Sequence, residues 1–339
     1  MNFSYSLYRF GRVCLLASVT MIGLLLVTFV IGRVMPIDPV LAIVGDHGSE
    51  ETYLAVRNEM GLDQPLYTQL LLYFGKIFRG DLGISSFTQN PVSQDLFNYF
   101  PATFELATIA TFLGVLLGVP MGVLAAVQRN RLVDHIVRVV SLLGYSMPTF
   151  WLGMIGLMVL YAQLGWVGGP GRLDIFYHGV VPSVTGMILI DSLIAGDADV
   201  FFNACNHIVL PASILGYFST AYITRMTRAF MIDQLGQDYI LAGRSRGISE
   251  RRLIWKHALG NALVPLITVI ALSNGSILEG SVLTETVFAW PGLGLYLTNA
   301  LLSADMNAIL GATMIIGVIF LFLNLLADIL YSKIDPRIS

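Results

Sequence analysis

Six runs of about twenty mostly apolar residues constrain this chain more than any other feature. They cover roughly residues 13–32, 102–127, 139–160, 207–228, 261–283 and 308–331. A helix rises about 1.5 Å per residue, so about 20 residues cross the ~30 Å hydrocarbon core of a bilayer. Lipid offers no water to backbone N–H and C=O groups, so each run must be a helix that satisfies its own. Pro120, Pro148, Pro211 and Pro265 lie in or beside these runs. Membrane helices tolerate them where neighbouring helices cover the freed carbonyls. Only 12% of the residues are charged and 55% are apolar; soluble domains carry about a quarter charged residues. The mean hydropathy is +0.74. An all-α membrane protein with six transmembrane helices is expected.

Basic residues set the orientation. Of the 19 Lys and Arg, all but Arg33, Arg57, Lys76, Arg79 and Arg172 fall on one side of the six-span arrangement, which is therefore cytoplasmic. Both termini then lie inside. The run that follows Arg9 and Arg12 is longer than the apolar core of a signal peptide and lacks a small-residue cleavage site. It reads as an uncleaved first helix. The expected organisation is an N-terminal region with the first helix over 1–32, a long extracytoplasmic loop region over 33–101, and a five-helix core over 102–339. That core contains a cytoplasmic loop at 229–260. Acidic residues crowd the outer loops, with Asp46, Glu50, Glu51, Glu59, Asp63, Asp81 and Asp95 in the first and Asp174, Asp191, Asp197 and Asp199 in the second. Residues 49–60 and 66–78 of the first read as helices, with Ser49 as N-cap and Glu50 and Glu51 in the first turn. A net charge of −3 carries no nucleic-acid signal. Cys14 and Cys205 are too differently placed for a disulfide, and the five histidines form no metal-ligand spacing.

The cytoplasmic loop contains Asp238-Tyr239-Ile240-Leu241-Ala242-Gly243-Arg244-Ser245-Arg246-Gly247-Ile248-Ser249. Asp238 can cap a short helix, and Gly247 can end it because φ > 0 is open to glycine. Ser249 can cap a second helix, with Glu250 in its first turn. Physics leaves two readings: an ordinary basic loop, or a helix–bend–helix element shaped for a partner's groove. Continued through Glu250, Arg251, Arg252, Lys256, His257, Asn261, Ala262 and Pro265, the segment resembles the cytoplasmic coupling loop of ATP-binding-cassette importer permeases of the peptide/nickel family. Gly243 stands where that family usually has Ala. Glycine costs a helix about 1 kcal/mol relative to Ala, so a looser docking helix is expected.

Further motifs carry the resemblance along nearly the whole chain. Thr284-Glu285-Thr286-Val287-Phe288-Ala289-Trp290-Pro291-Gly292-Leu293-Gly294 resembles the family's signature after the fifth span. Pro291 and Gly292 suggest a tight turn, and Phe288 and Trp290 suit a water–lipid boundary. Met35-Pro36-Ile37-Asp38-Pro39, Asp81-Leu82-Gly83-Ile84-Ser85, Pro101-Ala102-Thr103, Glu105-Leu106, Gly144-Tyr145-Ser146-Met147-Pro148, Asn324 and Asp335-Pro336-Arg337 resemble further family motifs in order. The dipeptide-permease branch, in its first permease subunit, is the most similar.

The resemblance implies a type I importer permease fold and one half of a translocation pathway for di- or oligopeptides or a related solute. The alternatives are nickel or a metal chelate as cargo or, in a different class, a secondary transporter. Implied partners are a homologous second permease, two cytoplasmic ATPases, a periplasmic solute-binding protein and membrane lipid, with no nucleic acid. The implied place is a bacterial inner membrane. No cofactor is expected on this chain; ATP and Mg belong to the partner subunits. No G-x-x-x-x-G-K-[ST], H-E-x-x-H or G-x-S-x-G occurs, so no catalytic site is expected. The implied ATPase-coupling residues are Asp238, Tyr239, Ala242, Arg244, Gly247 and Ser249. The candidate pathway or gate residues are Ser276, Glu279, Glu285, Trp290, Pro291 and Gly292. Charges at membrane depth are costly and mark function. Glu105 and Asp328 lie near interfaces, where hydration accounts for them. Glu279 shares a helix face with Gly275 and Ser276, either bordering a pathway or sitting as an interface carboxylate.

Overall fold

The computed structural model describes residues 15, 18–30, 39–45, 49–59 and 61–334, and among these all side chains but those at 39, 42–43, 59, 78, 279, 324 and 327–334. Cys14, Met35 to Asp38 and Asp335 to Arg337 lie outside the described residues, as do the side chains of Glu279, Asn324 and Asp328.

Helices α1 to α4 are Ser18–Val30, Pro39–Val44, Glu50–Glu59 and Leu66–Phe78. Then come α5 (Val92–Val127), α6 (Leu132–Ser146), α7 (Thr149–Gly156), α8 (Ile188–Ala195) and α9 (Ala198–Leu235). The remainder are α10 (Asp238–Ser245), α11 (Glu250–Arg252), α12 (Leu259–Gly280), α13 (Val282–Val287), α14 (Leu293–Leu302) and α15 (Met306–Ile334). No strand occurs among the described residues, only an isolated bridge between Ile84 and Pro91. Ser49 caps α3 as expected, its Oγ accepting from the Thr52 N–H at 3.2 Å.

Among the described residues, four helical stretches are long and apolar enough to cross a membrane, and a bent pair makes a fifth if it is counted as one span. The third apolar run is that pair. It turns by 95° between α6 and the helix that follows, rather than forming one straight span. Pro148 is the cause: it holds Met147 in an extended conformation (φ −87°, ψ 132°) and restarts the helix behind it. Of the first run, the described part is the short apolar α1. Two other helices outrun their apolar cores. α5 starts at Val92, because Ser93, Gln94 and Asp95 form a polar first turn that hydropathy does not register. α9 starts at Ala198, where Asp197 Oδ1 accepts from the Val200 N–H at 3.0 Å.

The chain divides into two compact units, Met1–Pro101 with Gly292–Ile319 and Ala102–Pro291 with Phe320–Ser339. The first is built on Val92, Leu96, Leu293, Tyr296, Ala300, Met306 and Ala312. Beside this core, Asp305 accepts from the Ser85 hydroxyl at 2.6 Å and the Phe87 N–H at 3.1 Å. In the second unit α9 packs on α5 and α12. Ile223, Leu266 and Val269 form its centre, and the Ser219 and Ser273 hydroxyls bond across α9 and α12 at 2.9 Å. The α5–α9 crossing is close because Gly114, Gly118 and Gly122 recur every fourth residue. A Cβ on Gly114 would lie 2.3 Å from Ser219 Oγ, and one on Gly122 2.5 Å from Thr227 Cβ.

Candidate functional site

The segment between α9 and α12 is a compact helix–bend–helix. Only Gly236 and Gln237 separate α9 from α10. Gln237, not Asp238, occupies the N-cap position (φ −80°, ψ 150°), and Asp238 opens the first turn, where its charge complements the helix dipole. At the other end Gly247 sits at φ 76°, in the left-handed region glycine favours. The Gly247 N–H donates to the Arg244 carbonyl at 3.0 Å and the Ile248 N–H to that of Gly243 at 3.1 Å. Those two bonds are a Schellman closure, which satisfies carbonyls the helix would leave open. Ser249 takes the N-cap backbone conformation of α11 (φ −63°, ψ 142°) without a side-chain capping bond.

Gly243 has a packing role that the expected loosening overlooked. A Cβ there would lie 2.6 Å from Leu253 Cδ2, so the glycine lets α10 press against the start of the returning helix. Ile240 and Leu253 join Val123, Ala126, Met231, Ala258 and Ala262 in a core beneath the loop. All other α10 residues are exposed, including Leu241 and the expected coupling residues Asp238, Tyr239, Ala242 and Arg244. Arg244 grips Glu250 through Nε–Oε1 at 2.6 Å and Nη2–Oε2 at 3.2 Å, which raises the guanidinium pKa. The pair is solvent-exposed, so salt screens it. The Tyr239 hydroxyl donates to Gln234 Oε1 at 2.9 Å. The result is a short helix fixed on one side and presenting on the other a face that mixes apolar residues with the charges of Asp238 and Arg244.

The second group of expected residues lies in a buried polar cluster. Glu285 is fully buried, and its Oε1 accepts from Thr103 Oγ1 at 2.8 Å and Ser281 Oγ at 2.9 Å. Trp290 is also fully buried, its Nε1–H donating to the Ala102 carbonyl at 2.9 Å. Phe288 and Trp290 are thus interior residues, 2% and 0% exposed, rather than side chains at a water–lipid boundary. Chain reversal occurs earlier than Pro291 and Gly292. The Trp290 N–H bonds the Glu285 carbonyl at 2.8 Å, and Ala289 takes the left-handed conformation at φ 45°. Gly292 instead occupies the N-cap position of α14 at φ −111°. Pro291 ends the second unit, directly before it.

Hydration does not account for Glu105. It is 4% exposed and pairs with Arg172 Nη2 at 2.5 Å, while Oε1 accepts from the Leu189 N–H at 2.8 Å. Arg172 Nη1 donates to the Gly186 carbonyl at 3.0 Å, and the guanidinium lies 5.6 Å from the Trp290 ring centre. Sequence reasoning missed Arg172 as a site residue, together with Thr103 and Ser281. The available signal was one basic residue in an outer loop and one costly carboxylate in a neighbouring span. Asp191 also holds this loop, accepting from the Thr185 N–H and hydroxyl, both at 2.7 Å, and the Gly186 N–H at 3.0 Å. Burial pushes its carboxyl pKa up, but these donors outweigh burial and hold it below the ordinary value.

On α12, Ser276 is exposed, whereas Gly275 is buried against α15; a Cβ there would touch Phe320 at 3.7 Å. Gly275 therefore does not share the exposure of Ser276. Among the described residues no group of three His, Cys, Asp or Glu could hold a metal ion.

Known proteins match this arrangement along the chain. The model of the binding-protein-dependent transport system inner membrane component matches residues 118–339, and that of the N-terminal part of such membrane components matches 7–107. The chain belongs to this family of transport-system membrane components. The probable D,D-dipeptide transport system permease protein DdpB of Escherichia coli (strain K12) is 42% identical over 317 residues, 94% of this chain and 93% of that protein. The di/tripeptide transport system permease protein DppB of Pseudomonas aeruginosa (strain UCBPP-PA14) is 40% identical, covering 94% of this chain and 95% of that one. A dipeptide permease DppB from Alkalihalophilus pseudofirmus is 36% identical over 98% of this chain and 99% of its own length. Among solved structures, an inward-facing MetNI methionine ABC transporter chain aligns with a TM-score of 0.50 at 17% identity, covering 69% of this chain and 93% of that one. That likeness shows a shared fold. This family member is a permease subunit, and the secondary-transporter alternative falls away.

Proposed function

We propose that the chain forms one half of the translocation pathway of an ATP-driven importer of di- and tripeptides. The observation that carries this reading is the similarity, over nearly the full length, to permeases named for dipeptide and di/tripeptide transport. The working assembly pairs the chain with a homologous permease, two cytoplasmic ATPases that bind ATP and Mg, and an extracytoplasmic solute-binding protein. Six spans cross a bacterial inner membrane, with both termini in the cytoplasm. The exposed face of α10, with Asp238, Tyr239, Ala242 and Arg244, docks on an ATPase; Gly247 and Ser249 set the bend behind it. ATPase closure displaces α10 and shifts the spans between inward- and outward-open states. Ser276 and Glu279 on α12 border the pathway. Glu285, Trp290, Pro291 and Gly292 shape its outer gate by fixing the turn after α13.

The test is uptake by the complete transporter in proteoliposomes. Labelled dialanine should enter only with ATP and the binding protein, and unlabelled di- and tripeptides should compete. Uptake of a nickel chelate with none of dialanine would overturn the cargo. Gly247→Val should leave membrane abundance intact and reduce uptake at least tenfold, because a β-branched residue does not fit φ 76°. Normal uptake by that variant would remove the coupling role of the bend.

A further inference from the structure

A buried ion pair near the cytoplasmic loop has no part in the cluster or coupling face described above. Asp134, in the first turn of α6, is fully buried. Arg228 of α9 reaches it as a fork, Nε to Oδ1 at 2.6 Å and Nη2 to Oδ2 at 2.8 Å. The Asn130 N–H adds a bond to Oδ2 at 2.9 Å, and Arg138 approaches Oδ1 at 3.6 Å. A two-point fork fixes rotation as well as distance, unlike a single contact. Above it, the same two helices are joined along most of α6. The Tyr217 hydroxyl donates to the Val140 carbonyl at 2.7 Å. A Cβ on Gly144 would sit 2.8 Å from the Tyr217 ring. Tyr145 stacks on Phe218 at 5.3 Å, with Arg225 5.4 Å from the Tyr145 ring centre.

Two facts place this pair between the coupling helix and the outer turn. Below, α9 reaches α10 across Gly236 and Gln237 alone. Above, α6 turns 95° into the helix that begins with α7, and α7 packs on the turn after α13. There a Cβ on Gly153 would lie 3.0 Å from Phe288 Cε2. We propose that Asp134 and Arg228 are positioning residues for transport: their fork makes α6 move with α9, so that displacement of α10 reaches the Phe288 turn through α6 and α7. This deepens the importer reading above and rests on it.

The test compares wild type, Asp134→Asn, and Asp134→Leu combined with Arg228→Met, each in the complete transporter. The double variant removes both charges and leaves neither buried alone, so it keeps the fold available where the single variant does not accumulate. One readout is cargo moved per ATP hydrolysed, which a loss of assembled protein does not change. The expected result is a fall of at least tenfold with ATPase activity per assembled complex retained. An unchanged ratio overturns the proposal, whether both activities fall together or neither does. Failure of both variants to assemble also overturns it, since the pair is then a folding element only.

The second readout needs no cargo. In a chain carrying Cys14→Ala, Cys205→Ala and Ala289→Cys, the thiol-labelling rate should respond to ATP when the pair is present. In the double variant that response should vanish. A response that survives there sinks the proposal even if the cargo is not a peptide. An intact response in the chain that keeps the pair, without any dialanine uptake, faults only the cargo.

Discussion

At the scale of single residues, the Glu105–Arg172 pair is the clearest case of a polar group retained by its neighbours. Removing one partner of a buried pair leaves the other charge uncompensated, at a cost of about 3–5 kcal/mol. Arg172→Met should therefore lower the thermal midpoint of the purified transporter and open the outer loop to protease. Glu105→Gln combined with Arg172→Met should recover most of the loss. A single variant with wild-type melting and cleavage would show that water already solvates the carboxylate. The carboxylate was visible in the sequence as a charge within a span, but its place near the end of that span read as hydration rather than as a buried pair. Its partner was not visible, because 67 residues separate them and no local period relates a loop arginine to a helix. The same holds for Glu285, whose donor Thr103 lies 182 positions away. Gly247 was legible for the opposite reason: a left-handed helix end is a local demand, met by one residue type.

Between elements, the α5–α9 crossing depends on the absence of side chains at Gly114, Gly118 and Gly122. Small residues let two membrane helices approach until backbone and side-chain dispersion hold them. Overpacking such a contact costs about 1–3 kcal/mol. Gly122→Leu should thus reduce the amount of folded permease in the membrane and lower its melting point, since even a Cβ would lie 2.5 Å from Thr227. Gly260→Ala is the matched control. It stands in α12 with nothing within 4 Å of a new Cβ, and an alanine there should be neutral or stabilising by up to about 1 kcal/mol. Equal destabilisation by both would mean that the seam is no tighter than open helix surface. Hydropathy located the cores of these helices well and their ends poorly. The polar first turn of α5 and the capped start of α9 are helical for hydrogen-bonding reasons that apolar runs do not record. The bend at Pro148 was visible as a proline but not as a 95° change of direction, which depends on where α7 finds its packing.

For the whole molecule, the proposed orientation rests on charges that the fold leaves exposed. α10 and the bend after it expose Arg244, Arg246, Arg251 and Arg252. The loops assigned to the other side by the proposed six-span topology hold exposed Glu50, Glu51, Asp63 and Asp199. Lys and Arg resist transfer across the membrane during insertion, whereas acidic residues weigh little, so the proposed orientation keeps the basic side in the cytoplasm. The bent α6–α7 pair decides whether this assignment is consistent. Counted as one crossing, it puts α10 on the side of Gln128 and the loop that carries Arg172 on the other. Counted as a re-entrant element, it leaves the Arg172 loop on the side of Gln128, and α9 then carries α10 across and strands four exposed arginines outside. A reporter at Gln128 or after Ser339 should therefore read cytoplasmic, and one at Asp63 or Asp197 external. Cytoplasmic signal at Asp197 with cytoplasmic signal at Gln128 would make the pair re-entrant. Cytoplasmic signal at Asp63 would instead remove the first crossing and invert the N-terminal part of the six-span arrangement.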